Sequence, residues 1–316
     1  MKNKDVYIVA AKRSPVSNSK KGAFSNLRPD DLLAQVITNI VSETNIDPTK
    51  IDDVIIGCAM QEAEQGMNIA RVSLLLAGLP HSVPGASVNK LCASGLESIA
   101  IAANKIQAGA NVVIAGGVES MSMIPMGGHN MMANPRLFSK DKKHLAIGYG
   151  MGLTAEAVAR KWHVTRDSQD EFALLSHKRA VAAIDKDLFS NEITPIMVEN
   201  SALTTSGEIA LSELSITQDI GPRADTSLAQ LQKLNPAFAL NGSVTAGNSS
   251  QVSDGAAALM LVSESFLFQH KLKPLAKFKT YAVAGVDPEY MGIGPIYAIP
   301  KALKQCGLSY QDIEHI

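Results

Sequence analysis

The run from Pro84 to Ser120, PGASVNKLCASGLESIAIAANKIQAGANVVIAGGVES, constrains this chain more than any other. A short apolar segment leads through a turn into a long Ala/Ile-rich amphipathic stretch, and a second apolar segment follows. That order predicts strand, helix, strand. The same alternation precedes it. DVYIVAAKRSP reads as a buried strand and a turn, and DDLLAQVITNIVSET as an amphipathic helix. IDDVIIGCAM reads as a second strand, and IARVSLLLAGLP as a helix closed by Gly78 and Pro80. Strands alternating with helices predict an α/β chain, with a mostly parallel sheet covered by helices on its faces. Aromatic residues are only 5% of the 316 while apolar residues are 46%, so these layers must close on Ala, Val, Ile and Leu.

From about residue 120 the pattern changes. MSMIPMGGHNMMANPRLFSKDKKHLAIGYG is rich in Met, Gly, Pro and Lys and keeps no period. Helical segments follow (TAEAVARKW and RDSQDEFALLSHKRAVAAIDKDLF), then polar stretches across residues 201–225. A loop-rich insertion of this length is uncommon without a functional reason. Apolar order returns with AAALMLVSES, a strand that rejoins the first sheet. KPLAKFKTYAVAG repeats the pattern of the first strand, IYAIPKALKQCGL is helical, and YQDIEHI alternates like the start of another strand. Residues 273–316 therefore read as the beginning of a second αβ half that stops short of its continuation.

Charge and composition exclude several classes. With 29 basic and 30 acidic residues there is no nucleic-acid footprint. The cysteines at 58, 92 and 306 lack metal-ligand spacing, and their odd number argues against a disulfide framework. The histidines (81, 129, 144, 163, 177, 270 and 315) are scattered, so no metal is expected. No apolar run approaches the roughly 18 residues that cross a membrane, and the amino terminus carries no signal-peptide pattern. The expectation is a cytoplasmic protein without a membrane span.

Cys92 is the residue that points to chemistry. Leu96, Ile99, Ala100, Ala103 and Ile106 form the helical stripe behind it, and Gly109 ends the helix. A cysteine at or just before a helix N-terminus meets unpaired N–H groups and the helix dipole, both of which favour a thiolate. Its own N–H would help to stabilise an oxyanion. Ala93, Ser94 and Gly95 keep the approach open. A buried structural cysteine is the competing reading at this point, and it is preferred for Cys58 and Cys306, which have apolar neighbours. The residues SKDKKH at 139–144 read as a solvated turn.

The whole segment resembles the acyl-enzyme motif of the thiolase family, in which Val88, Asn89, Cys92, Ala93, Ser94, Gly95, Leu96, Ser98, Ile99 and Ile106 each have a match. GGVESMS at 116–122, MGLTAE at 151–156, PAFALNGSVTAGNSSQVSDGAAA at 236–258 and MGIGPI at 291–296 follow in the family's order. The look is that of the degradative 3-ketoacyl-CoA thiolases. The resemblance implies a layered α/β/α architecture. Residues 1–118 with 250–272 would form the N-terminal half, 119–249 a loop domain for coenzyme A, and 273–316 the start of the C-terminal half. It implies that Cys92 carries the acyl group and that Met151, Met291, Phe238 and Ala246 line the acyl and pantetheine path. Arg223 would meet the nucleotide end of coenzyme A, and Ser250 the pantetheine amides. Coenzyme A and its thioesters would be substrates, and no prosthetic group would be needed. The working form would be a homodimer or homotetramer, with other β-oxidation enzymes as further partners. Gly150 stands where many thiolases have His.

Thiolase chemistry also needs a second acid–base group and a base near the nucleophile. The family's Gly-His-Pro, Cys-x-Gly and Asn-Glu-Ala-Phe motifs do not occur in these 316 residues. Three readings follow. The natural enzyme is longer, which is preferred. Otherwise a second polypeptide completes a split thiolase, or the chain is a catalytically silent acyl-CoA-binding protein.

Overall fold

The computed structural model describes residues 5–139, 141–203 and 209–315. In chain order its elements are β1 (Val6–Arg13), β2 (Ser17–Asn18), α1 (Pro29–Thr44), β3 (Asp53–Gly57), α2 (Ile69–Leu76), β4 (Gly85–Val88), α3 (Ser94–Ala108) and β5 (Val112–Ser120). Then come α4 (Lys142–Ile147), α5 (Met151–Trp162), α6 (Arg166–Asp185), β6 (Ile196–Leu203), β7 (Ile209–Ile216) and α7 (Leu228–Gln232). The chain continues with β8 (Ser253–Ser263), α8 (Glu264–Gln269), β9 (Ala276–Phe278) and α9 (Gly294–Cys306). Two compact units result. One comprises Met1–Asn130, Ile184–Gly221 and Val252–Phe278; the other comprises Met131–Ala183, Pro222–Gln251 and Lys279–Ile316.

The first unit is built on a sheet ordered β4-β3-β5-β8-β1-β9, with β2 beside β8. Only β3 runs parallel to its neighbours β4 and β5; β8 is antiparallel to β5, β1 and β2, and β9 is antiparallel to β1. The sheet is thus mixed, where a mostly parallel one was expected. Parallel neighbours need a crossover, here the helices α2 and α3. The strand β8 arrives after the long excursion from residue 121, free of that requirement, and inserts between β5 and β1.

Period-two alternation sends neighbouring strand residues to opposite faces. Val54, Ile56, Val112, Ile114, Met260 and Val262 pack with Leu33, Val36, Ile37, Ile40 and Leu74 of α1 and α2. Ile55, Val113, Ala115 and Leu261 pack with Ala102, Ala103 and Ile106 of α3. Helix α1 starts on Pro29 with Asp30 and Asp31 in its first turn and ends on Asn45 in the left-handed conformation, as propensity dictates. On α3 the expected stripe is only partly right. Ala100, Ala103 and Ile106 are buried as expected, but Leu96 is 58% exposed, and Ser94, Ser98 and Ala102 complete the buried face. Small residues face the sheet because the helix start lies against strand backbone.

The expected polar stretches across 201–225 are in part regular structure: β6 and β7 pair antiparallel, Ile196 opposite Ile216 and Leu203 opposite Ile209, while residues 204–208 lie outside the described residues. Ile196 and Val198 join the core against α1, and the Gln35 side chain bonds both the N–H (2.8 Å) and the carbonyl (3.1 Å) of Met197. Arg13 ties the segment 184–221 to the end of β1. Its guanidinium takes Asp219 in two parallel bonds of 2.7 and 2.9 Å, donates to Glu192 at 2.7 Å, and lies over the Phe189 ring.

In the second unit α5 runs from Gly150 as its N-cap to His163 in the left-handed conformation. Residues 142–147 form a helix, which corrects the expected solvated turn; Lys140 and the side chains of Lys142 and Lys143 lie outside the described residues. The tail also differs from expectation. Tyr310–Asp312 is a 3₁₀ turn, closed by Ser309 and Asp312 as a capping box, and not the start of a strand.

A methyl group at Gly116 would stand 2.1 Å from the carbonyl oxygen of Ala257 on β8, a backbone atom that cannot move aside. Gly116→Ala is expected to lower stability by about 1–3 kcal/mol, read as a reduced urea midpoint at unchanged slope.

Candidate active site

The carboxyl ends of β3, β4 and β5 lie side by side, and the turn that leaves β4 carries Cys92. Leu91, immediately before it, has φ +49°, a left-handed conformation that costs a leucine about 1–2 kcal/mol. Hydrogen bonds hold it from both sides. Leu91 N–H donates to Asn89 Oδ1 (2.8 Å), and Leu91 C=O accepts from Ser94 N–H (3.0 Å) and Ser94 Oγ (2.6 Å). Lys90 N–H donates to Ser94 Oγ (2.8 Å), and Lys90 C=O accepts from Ala93 N–H (3.1 Å). The turn leaves Cys92 exposed, two residues before the first residue of α3. The N–H groups of Ala93 and Ser94 are thus spent on the turn itself, not left open as the sequence suggested for a helix start.

Small residues crowd Cys92 because backbone meets backbone there. A Cβ at Gly57, the last residue of β3, would fall 2.3 Å from the Ser94 carbonyl carbon, and one at Gly117 would meet Gly95 Cα at 3.4 Å. Ser98 donates its hydroxyl to Gly116 C=O at 2.7 Å, which docks the helix on β5.

Sequence reasoning missed the carboxylate that organises this end of the sheet. Glu119, on β5, accepts from Ala59 N–H (2.7 Å), Met60 N–H (3.2 Å) and Gln65 Nε2 (2.6 Å). Gln65 in turn accepts from Ser120 N–H at 2.5 Å. The available signal was an acidic residue directly after a fully apolar strand in GGVES. Cys58 Sγ lies 4.0 Å from Glu119 Oε1. Burial, and then the charge of Glu119, push the Cys58 thiol up to about 12. Cys58 is buried, as expected of a structural cysteine, whereas Cys306 is half-buried with its thiol on the Ala302 carbonyl.

The remaining candidates all belong to the second unit. Met151 opens α5, and the Phe238 ring lies so close over Gly152 that a Cβ there would be 2.1 Å from Cγ. Ala246 and Ser250 lie exposed on one loop. Two buried carboxylates anchor that loop. Glu156 accepts from Ser243 N–H (2.9 Å) and Val244 N–H (2.8 Å), and Asp170 accepts from Asn248 Nδ2 (2.9 Å) and Arg166 (2.8 Å). Met291 lies in the 3₁₀ stretch Pro288–Ile293, whose Gly292 faces Val158 of α5. Its neighbour Tyr290 packs edge-on against Trp162 and under Lys161. The structure therefore gathers Met151, Phe238 and Met291 around α5. Arg223 stands apart and exposed. Its N–H donates to His177 Nδ1 at 3.1 Å, and its guanidinium meets Asp225 at 3.3 Å, a bond that holds the Asp225 carboxyl below the usual carboxylate range. Among the described residues no three His, Cys, Asp or Glu side chains converge as metal ligands, and no helix is long and apolar enough to cross a membrane.

Comparison with known proteins matches residues 6–265 to the thiolase N-terminal domain and residues 272–316 to the thiolase C-terminal domain. A 3-ketoacyl-CoA thiolase of Bacillus subtilis is 47% identical over 98% of this chain and 79% of its own length. The peroxisomal 3-ketoacyl-CoA thiolase A of Mus musculus is 39% identical, over 98% and 72%. The crystal structure of the Bacillus anthracis acetyl-CoA acetyltransferase superposes with a TM-score of 0.86 at 37% identity, over 98% and 78% of the two chains. The human mitochondrial 3-ketoacyl-CoA thiolase gives 0.85 at 35%, over 98% and 79%.

With its thiol near 12, Cys58 is ionised in only on the order of 10⁻⁴ of molecules at pH 8, against roughly a quarter for an ordinary exposed thiol. Iodoacetamide at pH 8 is expected to label Cys92 and spare Cys58 in the folded protein, and to label both in urea, as read by peptide mass spectrometry.

Proposed function

The chain belongs to the thiolase family, and on that premise we propose that it transfers acyl groups between 3-ketoacyl-CoA and coenzyme A through Cys92. The observation that carries this reading is the Cys92 turn: an exposed sulfur beside a left-handed Leu91, on an elbow braced by Asn89 and Ser94 at the ends of parallel strands. In the first half-reaction the Cys92 thiolate adds to the 3-keto carbon and forms a tetrahedral oxyanion. Its collapse breaks the bond between C2 and C3, leaving an acyl thioester on Cys92 and the carbanion of acetyl-CoA, which takes up a proton. In the second, coenzyme A gives up its thiol proton, its sulfur attacks the Cys92 thioester, and Cys92 departs as thiolate. One proton is consumed and one released, so the group that protonates the carbanion can deprotonate the incoming coenzyme A, while the base that activates Cys92 is a separate requirement. Run backwards, the same steps are a Claisen condensation. No prosthetic group enters, because the thioester supplies the activation.

For the coenzyme we assign Arg223 to the nucleotide end, Ser250 and Ala246 to pantetheine, and Phe238, Met151 and Met291 to the apolar path. Residues 119–249 keep their reading as the coenzyme-holding region. Exposed thioethers and an exposed aromatic ring on and around α5 support it, since flexible apolar side chains suit ligands of varying length. Arg223, exposed and paired with exposed Asp225, can exchange that carboxylate for a phosphate at little cost. We read the working form as a cytoplasmic homo-oligomer. The open edge of β4, with Leu91 and Leu96 exposed nearby, supports self-association.

Brief incubation with acetoacetyl-CoA is expected to add the mass of an acetyl group to Cys92, and Cys92→Ala should take up none. A wild-type protein that binds coenzyme A tightly yet never gains the adduct would overturn the transferase reading in favour of a silent acyl-CoA-binding protein. Arg223→Ala is expected to raise KM for coenzyme A about 3- to 10-fold with kcat within about twofold, measured by steady-state thiolysis.

A further inference from the structure

We propose that Asn89 is a positioning residue for the nucleophile, and that Glu119 anchors it. The side-chain amide of Asn89 is held at both ends. Its Oδ1 accepts from Leu91 N–H at 2.8 Å and its Nδ2 donates to Ala59 C=O at 2.8 Å. The first bond supports the left-handed Leu91, and the second ties the turn to the loop that follows β3. That loop is itself fixed, because Glu119 takes the N–H groups of Ala59 and Met60 and the Gln65 amide, while Gln65 also donates to Met60 C=O at 2.8 Å. A continuous chain of bonds thus runs from the end of β5 through residue 59 and Asn89 to the N–H of Leu91, the residue before Cys92. Ser94 braces the opposite side of the same turn from α3.

An Asx turn alone holds a conformation that water can compete for, since Asn89 is exposed. Fixing the far end of its amide removes the rotation that would release Leu91. The sulfur of Cys92 is then presented in one direction, which acylation by a bound thioester requires and alkylation by a small reagent does not. Neither Asn89 nor Glu119 needs to touch substrate for this role.

This inference rests on Cys92 as the acyl carrier, and two measurements keep the questions separate. Hydrogen exchange of the segment 89–94 is expected to quicken at least about tenfold in Asn89→Ala and in Glu119→Gln, with the body of α3 unchanged. Acylation of Cys92 by acetoacetyl-CoA should fall on the order of 10²-fold in Asn89→Ala, while alkylation by iodoacetamide stays within about threefold. Adding Leu91→Gly to Asn89→Ala should restore at least about tenfold of the acylation rate, because glycine adopts positive φ without strain. If Asn89→Ala does not fold, Asn89→Asp, which keeps the acceptor and loses the donor, is held to the same criteria. Unchanged exchange in the turn overturns the proposal. So does faster exchange with acylation intact, or a loss that Leu91→Gly leaves untouched. A wild-type protein that is never acylated, with the exchange shift present, sinks the transferase reading and leaves the brace standing.

Discussion

The seat of α3 on bare strand backbone is the constraint from which the first unit's geometry follows. At Gly57 and Gly117 no side chain separates helix from sheet, so the helix start has one height above the strands. The turn between β4 and α3 inherits that height, and with it the position of Cys92. A helix resting on leucines could slide by a fraction of an ångström; one resting on peptide groups, with Ser98 bonded to the Gly116 carbonyl, cannot. Placing the reactive atom just beyond the carboxyl ends of parallel strands is the general habit of α/β folds. Here the parallel part of the sheet is only three strands wide, and the cysteine turn uses it fully.

Both units fix their loops by one device, a buried or half-buried carboxylate that accepts from loop N–H groups, backbone or side-chain. Glu119 holds the loop after β3, Glu156 holds residues 243 and 244, and Asp170 with Arg166 holds Asn248. Asp254, fully buried on β8, takes the N–H and hydroxyl of Ser122. Irregular backbone has unpaired donors, and an acceptor with four lone-pair sites satisfies several at once. Rigid loops around a site follow from such residues as much as from the residues that meet a ligand.

The strands, the helices and the cysteine turn were legible in the sequence because their signals are local: periodicity, glycine at helix ends, small residues beside Cys92. Strand direction was not. Nothing in DGAAALMLVS says that it enters antiparallel between β5 and β1, because a buried strand reads alike either way. The pair β6–β7 hid behind the polar letters of its sequence, although among the described side chains Ile196 and Val198 are buried in the core and Ile216 packs beside them. Leu96 misled because an apolar residue at helical spacing was assumed to face inward, where α3 in fact turns serines and alanines to the sheet. The roles of Glu119, Glu156 and Asp170 depend on partners 54 to 88 residues away, beyond any local pattern.

The central position of β8 has a consequence for biogenesis. Its eleven residues bridge β5 and β1, yet they lie more than 130 positions after β5 begins. During synthesis the first 120 residues can form βαβ units but cannot close their sheet, and the flanks of β1 and β5 stay open until residue 263 has emerged. Such long-range closure is slow and leaves unpaired edges in the interim. The nascent chain therefore passes through a stage in which its hydrophobic strands need shelter, and ribosome pausing within the intervening 130 residues would lengthen it.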